Sequence, residues 1–155
     1  MTRSALWLAL ATAAVAACAG CASATPTDGA FIRDLAVSDA GGAGRAPTLT
    51  VRMAVERNWD PSAVYRLFLD VDQDGNADHR IETRFLDGRW FTAGGPKGTT
   101  GSNPKKGPEA IVWRVPGSEL GATSGALHVW VEADTPQGLF RKPAAGGDLH
   151  VLGAK

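Results

Sequence analysis

From residue 30 onward the apolar residues of this chain recur at every second position. Leu49, Val51, Met53 and Val55 alternate with Thr50, Arg52, Ala54 and Glu56. Successive side chains on a strand point to opposite faces, so such a run is a strand with one face buried and one wet. Tyr65, Leu67, Leu69 and Val71 alternate in the same way with Arg66, Phe68, Asp70 and Asp72, and Ile81, Thr83 and Phe85 with Arg80, Glu82 and Arg84. Ile111, Trp113 and Val115 form a further face, as do Leu127, Val129, Val131 and Ala133. Phe31–Ser38 and Asp148–Leu152 carry weaker versions of the pattern. No window sustains a helical period and no unit repeats. The pattern predicts an all-β domain over residues 30–155, an antiparallel β-sandwich of Ig-like or jelly-roll-like form with about seven to nine strands.

Turn chemistry separates the runs. Asp87-Gly88 between Phe85-Leu86 and Arg89-Trp90-Phe91 is a two-residue hairpin signal. Asp60-Pro61 marks another turn, and Pro116–Gly121 has room for a single helical turn. Residues 94–109, GGPKGTTGSNPKKGPE, are too rich in Gly and Pro for a core strand. They read as a surface loop, or as a basic flap in which Lys97, Lys105 and Lys106 meet an anionic ligand.

The N-terminal segment is built differently. Arg3 precedes an uninterrupted small and apolar run from Ala5 to Ala17. That run is shorter than the roughly 20 residues needed to span a bilayer, so it reads as a signal peptide over residues 1–17. It leads into Val15-Ala16-Ala17-Cys18, which resembles the lipobox of bacterial exported lipoproteins. The resemblance implies that Cys18 is lipidated and becomes the mature N-terminus, anchoring the protein to the cell envelope. It also implies the outer membrane where the host has two, because Ala19 stands in place of an acidic retention residue. Cys21 is the alternative lipidation site, and cleavage after Ala22-Ser23-Ala24 would instead release a soluble secreted protein. Residues 18–29 then form the lipidated Cys and a flexible tether. Both cysteines lie in this region, so residues 30–155 contain no disulfide and no thiolate metal site.

Charge narrows the function classes. The chain has 16 Lys+Arg against 16 Asp+Glu, which argues against a nucleic-acid binder that works by neutralising phosphates. Arg3 is the only charged residue of the signal segment, so the body carries one net negative charge. That near-neutral balance conceals a local concentration.

Asp70-Val71-Asp72-Gln73-Asp74-Gly75-Asn76-Ala77-Asp78 packs four carboxylates into nine residues. Calcium takes about six to eight oxygen ligands, and a Gly after the third Asp lets the backbone turn around an ion. The segment resembles the first part of an EF-hand loop and the DxDxDG loops of extracellular calcium modules. It departs from the EF-hand at Ala77, where an aliphatic residue is expected, and at Ile81, where a bidentate Glu is expected. Its flanks are strands, so the helical EF-hand fold and a sensor role are not implied. The ligands implied are Asp70, Asp72, Asp74 and Asp78, with Asn76 through its carbonyl and Glu82 as a candidate to complete the shell. Oxygen-only ligands favour Ca²⁺ over softer metals. An empty acidic hairpin loop is the plain alternative, since Asp, Asn and Gly favour turns.

Catalytic signals are weak. Gly117-Ser118-Glu119-Leu120-Gly121 is not a nucleophile elbow. His79, His128 and His150 fall singly, each on the expected outward face, and none has metal-site spacing. Trp130 and Phe68 lie out of phase with the buried positions of their strands, which would give an exposed aromatic face able to stack on sugars. The expectation is a non-catalytic envelope lipoprotein module with a structural Ca²⁺, tied to the membrane through its lipid and interacting with a protein or glycan partner. A carbohydrate-binding module is the alternative, and a small hydrolase comes third.

Overall fold

The computed structural model describes residues 31–40, 47–55, 60–101, 110–121 and 125–152. The signal segment, both cysteines and the tether lie outside these, as do Glu56, Trp59, Lys105, Lys106 and Glu109. Among the described residues no helix is long and apolar enough to cross a membrane.

Period-two alternation becomes ten antiparallel strands: β1 (Ile32–Ala40), β2 (Thr48–Val55), β3 (Val64–Asp70), β4 (His79–Leu86), β5 (Arg89–Gly94), β6 (Thr100–Gly101), β7 (Ala110–Pro116), β8 (Ala126–Thr135), β9 (Gly138–Lys142) and β10 (Asp148–Val151). They form two sheets. One has the order β1-β2-β7-β6 and the other β10-β8-β3-β4-β5. In the second sheet the free edge of β8 is shared, with β10 on Ala126–Val129 and β9 on Val131–Thr135. A single 3₁₀ turn, Gly117–Glu119, follows β7. The fold is the expected β-sandwich.

Every apolar position of the five strong runs reaches the interior except Phe85, which stays half-buried. Leu49, Val51, Met53, Ile111, Trp113 and Val115 from the first sheet meet Tyr65, Leu67, Leu69, Ile81, Leu127, Val129 and Val131 from the second, all fully buried. Burying a Val, Leu or Ile side chain stabilises by about 1.5–3 kcal/mol, and this shared layer offsets the entropy of ordering the strands. A polar link lies within it. The Trp113 indole donates to Thr83 Oγ1 at 3.0 Å, and Thr83 shares a second bond of 2.9 Å with Thr92 Oγ1. A large ring thus fills the layer without leaving a buried donor unmatched.

The two ends of the second sheet differ in chemistry. At the start of β3, Tyr65 joins Phe31, Phe140, Trp90 and Phe85 in an aromatic cluster with ring separations of 5.2 to 6.4 Å. The Tyr65 hydroxyl accepts from Asp60 N at 3.0 Å and donates to Asp60 O at 3.2 Å, pinning the 60–63 turn. At the other end β3 runs into the acidic loop. Asp87 (φ 50°) and Gly88 (φ 79°) both occupy the left-handed region, as the two-residue turn joining β4 to β5 requires.

Three features depart from the sequence pattern. Thr100-Gly101, inside the Gly/Pro-rich stretch, forms a two-residue edge strand on β7. β9, with the sequence GLFRK, has no alternation because all five residues are half-buried at a shared edge. The histidines also differ: only His128 faces outward, whereas pairing places His79 beside Leu69 and His150 beside Leu127, on the sandwich-facing side.

Two measurements check this account. Thr83→Val leaves the buried Trp113 N–H without an acceptor and lowers the unfolding free energy in urea by about 1–3 kcal/mol, more than Thr83→Ser, which keeps the hydroxyl. Burial pushes the Tyr65 hydroxyl from 10.0 up to about 12, a rise only partly countered by its hydrogen bond to the Asp60 backbone. The folded state therefore favours the neutral phenol. This contribution is full below pH 10 and is lost as pH rises toward 12. Tyr65 is the only tyrosine, so tyrosinate absorbance reports it alone, and Tyr65→Phe removes this part of the alkaline destabilisation.

Candidate metal site

Residues 71–78 join β3 to β4 and fold back on the end of the sheet. The Asp78 amide donates to Leu69 O at 2.9 Å, closing the loop where the ladder ends at Leu69 and His79. Inside it, Gln73 (φ 63°) and Gly75 (φ 93°) adopt left-handed conformations. Gly75 was legible as the turning residue. Gln73 was not, and it pays the strain of a side chain in that region.

The reversal brings three of the acids together. One carboxylate oxygen each from Asp70, Asp72 and Asp78 lie within 4.8 Å of one another. Asp70 is the pivot. The alternation of β3 places it beyond Arg66 and Phe68 on the outer face, yet the loop covers it completely. Its Oδ2 accepts the Gly75 amide at 3.0 Å and lies 3.5 Å from His128 Nδ1. Its Oδ1 is buried with no hydrogen-bond partner. A buried carboxylate oxygen without a partner carries a desolvation penalty of several kcal/mol unless a cation or proton compensates it.

Asp78 uses Oδ2 to accept the amides of Val71 at 2.7 Å and Asp72 at 3.4 Å, which leaves its other oxygen for an ion. Asp72 accepts the Asp74 amide at 3.1 Å. That bond pulls its pKa down, but slight desolvation, the charges of Asp74 and Asp78 and the nearby Asp70 carboxyl together hold it above the usual carboxylate value. Crowded carboxylates of this kind are what a divalent cation relieves.

Not all of the expected ligands converge. Asp74 turns to Asn76, accepting its amide at 2.7 Å and its side-chain Nδ2 at 3.1 Å, which holds its carboxyl below the usual range. Asp74 is therefore not one of the three clustered carboxylates; these bonds use the two nitrogens of Asn76 and do not involve its carbonyl, the atom expected to bind. Glu82 does not complete the shell. It lies opposite Arg66 and is held by Arg80 at 2.7 Å, Arg66 at 3.4 Å and Arg84 at 3.7 Å. Burial raises its carboxyl, but the bonds from Arg80 and Arg66 outweigh this and keep it below the ordinary value. His79 is also diverted, its Nε2 lying 3.3 Å from Leu120 O.

The exposed aromatic face expected at Phe68 and Trp130 is instead covered. The two rings stack on each other at 5.3 Å and 8°, and the Arg141 guanidinium lies 4.7 Å over the Trp130 ring. Trp130 is only 7% exposed, so its own ring offers little surface for a sugar to stack on, whereas Phe68 stays half-buried. The covering group comes from β9, the strand that the alternation pattern did not reveal. Arg141 is correspondingly the functional residue that sequence reasoning missed, since nothing in GLFRK marks it out from a surface arginine.

Comparison of the chain with sequence-family profiles, with curated proteins and with solved structures finds no match.

Proposed function

We propose that this protein is a non-catalytic module of the bacterial cell envelope, tethered by a lipid at Cys18, whose 70–78 loop binds a structural Ca²⁺. The observation that carries the calcium reading is Asp70, fully buried with Oδ1 unpartnered, beside Asp72 and Asp78. A hard, oxygen-seeking dication suits an all-carboxylate cluster, and three such ligands leave places for backbone oxygens or water. The ion's work here is mechanical. It would cross-link the two ends of a loop whose carboxylates otherwise repel, and fix it to the end of β3. The tether reading is supported by the sequence Val15-Ala16-Ala17-Cys18 and by the small, polar residues that separate it from the sandwich.

Thermal melts in EDTA and in millimolar Ca²⁺ test the site. Extracellular calcium modules bind at about 10⁻⁴–10⁻³ M. Calcium at about ten times such a Kd stabilises by about 1.4 kcal/mol, which raises the melting temperature measurably. Asp70→Asn abolishes the calcium response while melting in EDTA at or above the wild-type temperature, because it replaces a buried carboxylate whose Oδ1 has no partner. Equal wild-type midpoints in EDTA and Ca²⁺ would identify the loop as an empty acidic hairpin. Mass spectrometry of the mature N-terminus tests the anchor: a lipid-modified peptide beginning at Cys18 is expected, and an unmodified terminus after Ala24 would contradict it.

A further inference from the structure

On the outer face of the second sheet, a cavity of about 280 Å³ lies between the acidic loop and Gly146-Gly147. Its walls include Asp70, Asp74, His128, Trp130, Arg141 and Gly147. The volume falls just below the range of about 300–1,000 Å³ typical of small-molecule pockets, so it admits one small ring and not a folded peptide.

The walls are built rather than incidental. Arg141 is held by its Nη2 donating to Gly146 O at 2.6 Å and by the Trp130 ring beneath it, while its Nε has no partner in the protein. A Cβ at Gly147 would come within 2.8 Å of His128 Cβ and 3.1 Å of Val129 N, so only glycine lets this segment close over β8. Acceptors at Asp70 and Asp74 share its lining with the Arg141 guanidinium and with the His128 imidazole, which lies 3.5 Å from Asp70 Oδ2.

An anion would meet two carboxylates there. A cation would meet Arg141 and, in the loaded protein, the calcium beside Asp70. A neutral ligand whose hydroxyls both donate and accept satisfies both kinds of group in the lining. We propose that this cavity binds a single sugar residue through its hydroxyl groups, and that calcium in the loop is required because Asp70 belongs to both sites. This rests on the calcium reading. It differs from sugar stacking on an exposed aromatic face, for which Trp130 at 7% exposure offers too little surface.

Saturation-transfer NMR of the full-length chain with the methyl glycosides of glucose, galactose, mannose and N-acetylglucosamine tests it, in Ca²⁺ and in EDTA. At least one glycoside receives saturation in Ca²⁺ and none in EDTA. Arg141→Gln weakens that binding by about tenfold or more, the loss expected for a charged hydrogen bond, while keeping the wild-type calcium shift in its melt. His128→Gln provides a second variant in the same lining. A protein that shows the calcium shift but binds none of the four glycosides overturns the proposal and leaves the calcium reading standing. Equal binding in EDTA overturns the calcium requirement, and a missing melt shift overturns the calcium reading itself.

Discussion

The register of β3 is the constraint on which the rest of the molecule depends. It lies between β8 and β4, so its alternation is fixed from both sides. Tyr65, Leu67 and Leu69 face the core, and Arg66, Phe68 and Asp70 face outward. A slip of one residue would drive an arginine and an aspartate into the apolar layer and expose three large hydrophobic side chains. Each outward residue then anchors a different feature. Arg66 bridges Glu82 and Asp134, Phe68 stacks on Trp130, and Asp70 receives the returning loop.

That outer face is solvent-side by pattern but not bare. In register, Arg141, Glu132, Arg66 and Glu82 form a row of alternating charge across four strands. Glu132 shows how far the row is withdrawn from water, since burial raises its carboxyl despite the arginines around it. Exposed ion pairs contribute little, whereas a partly covered row favours one pairing over shifted ones, because a slip would place like charges together. The face is therefore organised to hold neighbouring side chains still. A binding surface needs such order, and an unstructured wet face would not supply it.

The fold was legible because two physical rules acted locally. Alternation marked the strands at Leu49–Val55, Tyr65–Val71, Ile81–Phe85, Ile111–Val115 and Leu127–Ala133, and the demand for positive φ marked Asp87-Gly88 and Gly75. The site was only partly legible because ligand selection is a tertiary matter. Three alternate aspartates followed by Asp78 gave no reason to separate Asp74 from the others. The difference came from Asn76, whose amide and side chain both reach Asp74. Glu82 was withdrawn by three arginines on the two strands that pair there. Trp130 looked outward on its strand and does face outward, but β9 and residues 143–147 close over it, and five half-buried residues leave no periodic trace.

The acidic loop also gives the protein's charge balance a location. The body carries one net negative charge, and four of its acids fall within Asp70–Asp78. Three of those carboxylates approach one another, and one of them is sealed from water with an oxygen left over. Asp72 and Asp78 are exposed, but the charge of Asp70 is weakly screened, because the loop rather than solvent fills the space around it. The energetic problem is thus local and divalent in size, while distant arginines such as Arg66 and Arg80 are already engaged with Glu82 and Asp134. The dication proposed for this loop would answer it at its source. The loop would then hold its shape through attraction to the ion, and Asp70 would present a fixed wall to the cavity beside it.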